Sequence, residues 1–184
     1  MSITQESLPA ECARAEIDSP VGALTLIASD AGLHAVLWRD ERSARELARV
    51  RQRPHPVLAK ATAQLREYFA GARRVFDLPL VIDGTPFQVR AWRELLRIPY
   101  GRTISYSEQA RRLGDPKKAR AVGTANARNR IAIVIPCHRV IAASGALAGF
   151  GGGLDNKRIL LALEEESARG GELQGQAASA AAGA

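Results

Sequence analysis

The chain has only two cysteines, Cys12 and Cys137, too few for the disulfide framework of a small secreted domain. It has no Cys-x-x-Cys pair and only three histidines (His34, His55 and His138), so closely spaced zinc ligands are lacking and no metal is expected. No apolar run approaches the roughly 18 to 20 residues of a membrane-spanning helix. The first residues, MSITQESLPAEC, lack the basic start and apolar stretch of a secretory signal. These absences predict a soluble, cytoplasmic protein. Neither a phosphate-binding loop nor a G-x-G-x-x-G after a strand is present, so no nucleotide cofactor is expected. No internal repeat is visible.

A length of 184 residues allows one large domain or two small ones. Charge is distributed unevenly along it. Residues 1–89 carry 11 Lys and Arg against 11 Asp and Glu, residues 90–139 carry 12 against 3, and residues 140–184 carry 3 against 5. The whole positive excess therefore lies in about fifty residues. A basic face kept for solubility needs no such concentration, whereas a polyanionic partner does.

The first part reads as a small antiparallel meander. Residues 13–28 form two strands around a turn at Ser19-Pro20-Val21-Gly22, and a second turn at Asp30-Ala31-Gly32 leads into LHAVLW. Residues 41–52 and 57–70 carry helical spacing, with Leu58, Leu65 and Phe69 on one face of the second. Gly71 ends that helix. Residues 75–85 look like a connector with a short strand, and the pattern changes near residue 82.

Beyond it, Phe87, Ala91, Leu95 and Ile98 form the apolar stripe of an amphipathic helix that Pro99 and Gly101 stop. SYSEQARRLG and DPKKARAVGTANARN predict two short helices around a turn at Gly114, the second begun by Asp115 and Pro116. Ala119, Ala121, Gly123, Ala125 and Ala127 make that second helix thin enough for close approach to another backbone. IAIVI, residues 131–135, reads as a buried strand. A small-residue loop ends in GFGGG, residues 149–153, and a last helix starts near Asp155 as N-cap. From Ala168 onward there is too little apolar bulk to pack, which predicts a disordered tail.

Cys137 stands after an apolar run and a proline, flanked by His138 and Arg139. Such a cysteine is often a plain small core residue. A cation or imidazole beside a thiol of ordinary pKa, about 8.5, favours the nucleophilic thiolate. In extended chain, however, neighbouring side chains point apart, so His138 reaches Cys137 only if the chain turns or a water bridges them.

The ordered motifs FQVRAW, ISY, ARAVG, IPCHRV and GFGGG, running on to the helix at Glu164, resemble the O6-alkylguanine-DNA alkyltransferases. IDSPVGALTL and GLHAVLW resemble that family's first domain. The resemblance implies an α+β architecture. It has a tail over 1–12, a ribonuclease-H-like antiparallel-sheet domain over 13–82, a mainly helical, winged helix-turn-helix-like domain over 83–167, and the tail from 168. It implies irreversible, once-only transfer of an alkyl group from guanine O6 in DNA to Cys137, with O4-alkylthymine as a further candidate substrate. His138 would be the base acting through a water, Glu164 would orient it, and Asn129 would hold the turn beside the cysteine. Arg120 would fill the stack vacated by an extruded base, and Tyr106 would press its phosphate and donate a proton. Ala121, Gly123 and Ala127 would line the minor groove of double-stranded DNA, and Val140, Phe150 and Gly151 would form the base pocket. The chain would work as a monomer, with cooperativity along DNA left open.

Taken alone, these residues have blander readings. Glu164 in a Glu-Glu-Glu run suits solvent, though it lies four residues past Leu160 on the buried stripe. Asn129 is a simple loop residue, Arg120 a solvated cation, and Tyr106 a core aromatic at a helix entry. Two rival functions also stand. A cysteine hydrolase would turn over esters or amides and need an oxyanion hole that the sequence does not reveal. A binding module that recognises alkylated bases without transfer would not need Cys137.

Overall fold

The computed structural model describes residues 8, 11–38 and 50–182, with backbone alone for 171–182. Strands β1 (Ala13–Ile17), β2 (Leu24–Ser29) and β3 (Gly32–Trp38) form the antiparallel meander, and β4 (Arg51–Gln52) lies parallel beside β1, giving the order β3-β2-β1-β4. Gly22 closes the first turn through its N–H on Ser19 O at 3.0 Å, with φ at +90°. Gly32 has no alternative: a Cβ there would sit 2.5 Å from Pro79 O. The helix expected over 41–52 lies mostly outside the described residues, and its last two residues form β4. Strand β2 is buried along its whole length. Leu24, Leu26 and Ala28 join the main core, while Ile27 packs on the other face with Cys12, Ala35 and Val50. Strand β2 is therefore covered on both faces. Helix α1 (Pro56–Phe69) covers the sheet with Leu58, Ala61, Leu65 and Tyr68.

The second part is mainly helical. Thr85 and Gln88 form a capping box around Pro86 and start α2 (Pro86–Leu95). Ser105 caps α3 (Tyr106–Arg112), accepting from Glu108 N at 3.0 Å. After the turn at Gly114, Asp115 caps a single 3-10 turn (Pro116–Lys118), and only then does α4 (Ala119–Asn126) begin. Gln109 and Asn126, both buried, bond to each other at 2.8 Å, and Gln109 also donates to Ala91 O, so one amide pair ties α2, α3 and α4 together. A short parallel pair, β5 (Ile104–Ser105) and β6 (Val140–Ile141), brings the start of α3 beside the segment after Cys137.

Three expectations change here. Residues 131–135 are buried but are not a strand. The run folds on itself, with Val134 N bonding Ala132 O and Ile135 N bonding Ile131 O, and Ile133 has φ of +71°. A continuous apolar run looks the same whether it lies in a buried strand or a buried turn. Helix α5 (Leu154–Ala182) begins before Asp155, which lies in its first turn and pairs with Arg158 instead of capping. The same helix continues to Ala182, into the tail expected to be disordered. Ala, Glu, Gln and Leu are strong helix formers, and adding turns to a packed helix avoids the cost of nucleation.

The two parts share one core, in which Leu26, Leu58 and Tyr68 meet Trp92, Leu95, Ile133, Cys137 and Leu160. Main-chain bonds cross between them: Val36 N donates to Arg130 O, and Ala132 N to Val36 O. No helix is long and apolar enough to cross a membrane, among the described residues.

Candidate active site

The chain turns at the cysteine. Cys137–Arg139 form a 3-10 turn after Pro136, Cys137 N bonds Ile135 O at 2.9 Å, and Cys137 is 7% exposed. Asn129 braces the folded apolar run from one side. Its Oδ1 accepts from Ile131 N at 3.0 Å, and its Nδ2 donates to Ile135 O at 2.8 Å and to Cys137 Sγ at 3.3 Å. One amide thus holds both ends of the turn and the sulfur. Ile133, a β-branched residue in the left-handed region, is strained by about 1–3 kcal/mol and stays there because its side chain is buried in the core.

His138 points toward α5. Its Nε2 lies 2.8 Å from Glu164 Oε1, while its Nδ1 is buried and meets no hydrogen-bonding partner among the described residues. A carboxylate can only accept, so the proton sits on Nε2 and Nδ1 carries a lone pair. Burial pushes the imidazole pKa down against the opposing pull of Glu164, and the ring is neutral near pH 7.

Glu164, 1% exposed, is the hub of this side of the site. From the described residues it accepts five hydrogen bonds: His138 Nε2, Arg139 Nε at 2.8 Å, Arg139 Nη2 at 2.9 Å, Tyr68 Oη at 2.9 Å and Gly101 N at 3.0 Å. Burial alone would raise its pKa, but the His138 and Arg139 bonds outweigh it and hold the carboxyl at about 2.

The sequence placed Arg139 as a cation beside the thiol. Its guanidinium instead grips Glu164 with two nitrogens and donates to Ile98 O with the third. The cation acting on the sulfur is Lys157, which sequence reasoning missed. Fully buried, it donates from Nζ to Val140 O at 2.6 Å and Ala148 O at 3.0 Å, and it lies 5.8 Å from the Tyr106 ring centre and 5.9 Å from that of Phe150. Its position was readable, three residues before Leu160 and seven before Glu164 on one helical stripe. Tyr68 was missed in favour of its neighbour Phe69, although a buried tyrosine calls for a hydroxyl partner. At Cys137, burial raises the thiol pKa, and the Asn129 donor, the Lys157 charge and nearby N–H groups only partly offset it. The sulfur is a thiol that needs a base.

Tyr106 stands at the first position of α3 with its hydroxyl on Ala148 O at 2.8 Å, so it faces the loop before Gly149. Gly123 of α4 lies against its ring; an added Cβ would rest 3.7 Å away. Ala121 and Ala127 are exposed on α4 and just past its end, and Arg120 is exposed in its first turn. Phe150 packs edge-on to Trp38, 5.2 Å between centres. Gly151 has room, its nearest neighbour to an added Cβ being Ala127 O at 3.9 Å. Gly152 has none, since a Cβ would lie 2.6 Å from the Trp38 indole. Asn129 holds Cys137, Glu164 holds His138, and Lys157 joins Val140, Tyr106 and Phe150 beside them, while Gly151 lies against Ala127, and Arg120, Ala121 and Ala127 are exposed on and just past α4. A cavity of about 200 Å³ lined by His34, Asp83, Trp92 and Arg130 borders Asn129 without including Cys137. His34 bonds Ser29, and His55 caps α1 and reaches Asp30, so neither joins the site.

Known proteins match this arrangement along most of the chain. Residues 14–82 match the ribonuclease-like domain of 6-O-methylguanine DNA methyltransferase, and residues 86–166 match its DNA-binding domain. A methylated-DNA–protein-cysteine methyltransferase of Mycobacterium bovis is 50% identical over 155 residues, which is 83% of this chain and 92% of the relative. One from Methanosarcina acetivorans is 44% identical over 147 residues, 80% of this chain and 94% of the relative. The Mycobacterium tuberculosis OGT in complex with DNA superposes with a TM-score of 0.75 at 47% identity, covering 83% of this chain and 92% of that one. The chain belongs to the methylated-DNA–protein-cysteine methyltransferase family.

Proposed function

We propose that this protein repairs DNA by direct reversal, moving the alkyl group of O6-alkylguanine to Cys137 once per molecule. The observation that carries the reading is the Asn129-bound thiol beside a neutral His138 whose tautomer Glu164 dictates. His138 Nδ1 takes the thiol proton through a water, in the logic of an activated nucleophile whose base is oriented by a third group. The thiolate attacks the alkyl carbon, a C–S bond forms, the C–O6 bond breaks, and its electron pair leaves with the guanine. Tyr106 Oη, already a donor at the loop carbonyl of Ala148, supplies the proton that neutralises the departing base. The resulting thioether has no good leaving group, so the cysteine is spent.

A base within a duplex cannot reach a buried thiol, and extruding it costs a few kcal/mol, less for a poorly paired damaged base. Arg120 fills the vacated place. The thin surface of Ala121, Gly123 and Ala127 approaches the minor groove, where the edges distinguish little more than A·T from G·C, so sequence preference is weak. Val140, Phe150 and Gly151 enclose the extruded base, and the protein acts as a monomer.

Intact mass spectrometry tests this after exposure to duplex DNA holding O6-methylguanine. The native protein gains a single methyl on Cys137, and Cys137→Ala gains none. More than one event per protein molecule, or methylation elsewhere, overturns the reading.

A further inference from the structure

Tyr68 belongs to α1 of the N-terminal part, 96 residues before Glu164 in the chain, yet its hydroxyl donates to Glu164 Oε1 at 2.9 Å with both side chains buried. That oxygen is the one His138 Nε2 touches. We propose that Tyr68 is a positioning residue for the alkyl transfer, through which the ribonuclease-like part reaches into the reaction by setting how strongly Glu164 draws on His138. The inference rests on the reading of His138 as the base.

The physical argument is one of shared charge. Oε1 divides its acceptor capacity among Tyr68 Oη, His138 Nε2 and Arg139 Nη2. Each donor drains negative charge from the oxygen and so weakens its pull on the imidazole proton. A Glu164 held by fewer donors would attract the His138 proton more and favour the imidazolium, which is no base. Arg139 donates once to Oε1 and once to Oε2, but it belongs to the same turn as His138, so it moves with the ring it constrains. Tyr68 comes from a separate element and is wedged among Phe69, Phe76 and Tyr100, with ring centres 5.3, 5.5 and 6.0 Å away. It holds Oε1 at a position that the cysteine turn itself does not determine. The remaining groups that bear on the pair are Gly101 N on Oε2, Tyr100 with its ring centre 5.6 Å from the Arg139 guanidinium, Arg74 at 5.9 Å from the same ring, and Lys157, whose charge disfavours protonation of His138. None of these donates to Oε1. The tyrosine ring could fill this core as a phenylalanine; the hydroxyl is the part that speaks to the site.

The experiment compares native protein, Tyr68→Phe and Leu65→Ala. Leu65→Ala opens the same helix and core without touching Glu164. Single-turnover transfer to Cys137 is followed across pH, and the His138 imidazole is titrated by 15N NMR. In Tyr68→Phe the acid limb of the rate profile and the His138 titration both move to higher pH while the plateau is retained. Leu65→Ala loses thermal stability and moves neither. A Tyr68→Phe protein with both curves unmoved, or a Leu65→Ala protein that shifts them equally, overturns the proposal. A His138 titration that shifts in Tyr68→Phe without the rate following supports the hold of Tyr68 on the pair and removes His138 as the base.

Discussion

Replacing Glu164 by glutamine exchanges one carboxylate oxygen for an NH2 group and strikes the most densely bonded buried group of the site. The amide cannot serve the five donors that now converge on the carboxylate, because one of its ends is itself a donor. Arg139 would be left as a buried cation without its counter-charge, and breaking such a pair costs about 3–5 kcal/mol. The carboxyl pKa provides a second route to the magnitude. Held at about 2 in the folded chain against about 4.3 unfolded, Glu164 contributes on the order of 3 kcal/mol near neutrality. The sign follows from the depression. The contribution is complete above the unfolded pKa and drains away as pH falls from about 4.3 through about 2. The two routes agree. At about 2–4 °C per kcal/mol for a chain of this size, Glu164→Gln should melt roughly 6–20 °C lower at pH 7. The gap to native protein should close as pH falls below 4. Calorimetric scans at stepped pH measure both. A loss near neutrality under about 1 kcal/mol, or a gap that does not narrow in acid, would refute the idea that the carboxylate anchors this side of the site.

Lys157→Met keeps the bulk of a buried side chain but removes the charge facing Cys137. The Cys137 thiol should react with iodoacetamide more slowly, with the reactivity curve moved to higher pH, and loss of the Lys157 donor at Val140 O should cost about 1–3 kcal/mol of stability, while Ala148 O keeps the Tyr106 hydroxyl. Neighbouring glycines should behave oppositely on denaturant titration. Gly152→Ala loses about 1–3 kcal/mol against the Trp38 indole, whereas Gly151→Ser stays within about 0.5 kcal/mol. If Gly151 lines the proposed base pocket, Gly151→Ser should also lower the rate on benzylated relative to methylated guanine; an unchanged ratio rejects a role for that space. Duplex affinity should fall about 10³-fold between about 50 and 200 mM salt if roughly six phosphates are neutralised. A salt-indifferent affinity removes residues 90–139 as the footprint.

Local signals in the sequence were enough for the meander, α1, α2 and the paired helices at Gly114, because glycine turns, caps and apolar periods act over a few residues. Cys137, His138 and Asn129 stood out only through the resemblance of the ordered motifs to a known family, since taken alone Asn129 reads as a loop residue and Cys137 as a small core residue. Tertiary structure decided the rest. Whether IAIVI became strand or turn depended on the Val36 edge and the Asn129 amide, which a hydrophobic pattern cannot express. Arg139 was assigned to the thiol because it is close in sequence, but the carboxylate that captures it lies 25 residues away. Lys157 and Tyr68 became parts of the site only when α5 packed against the cysteine turn and α1 brought Tyr68 to Glu164. The sequence alone determined that a cysteine and a histidine stand side by side after a proline and where positive charge accumulates. Folding determined the protonation of those groups, since burial and hydrogen bonding set the balance at Cys137, His138 and Glu164, and both depend on partners distant in the chain.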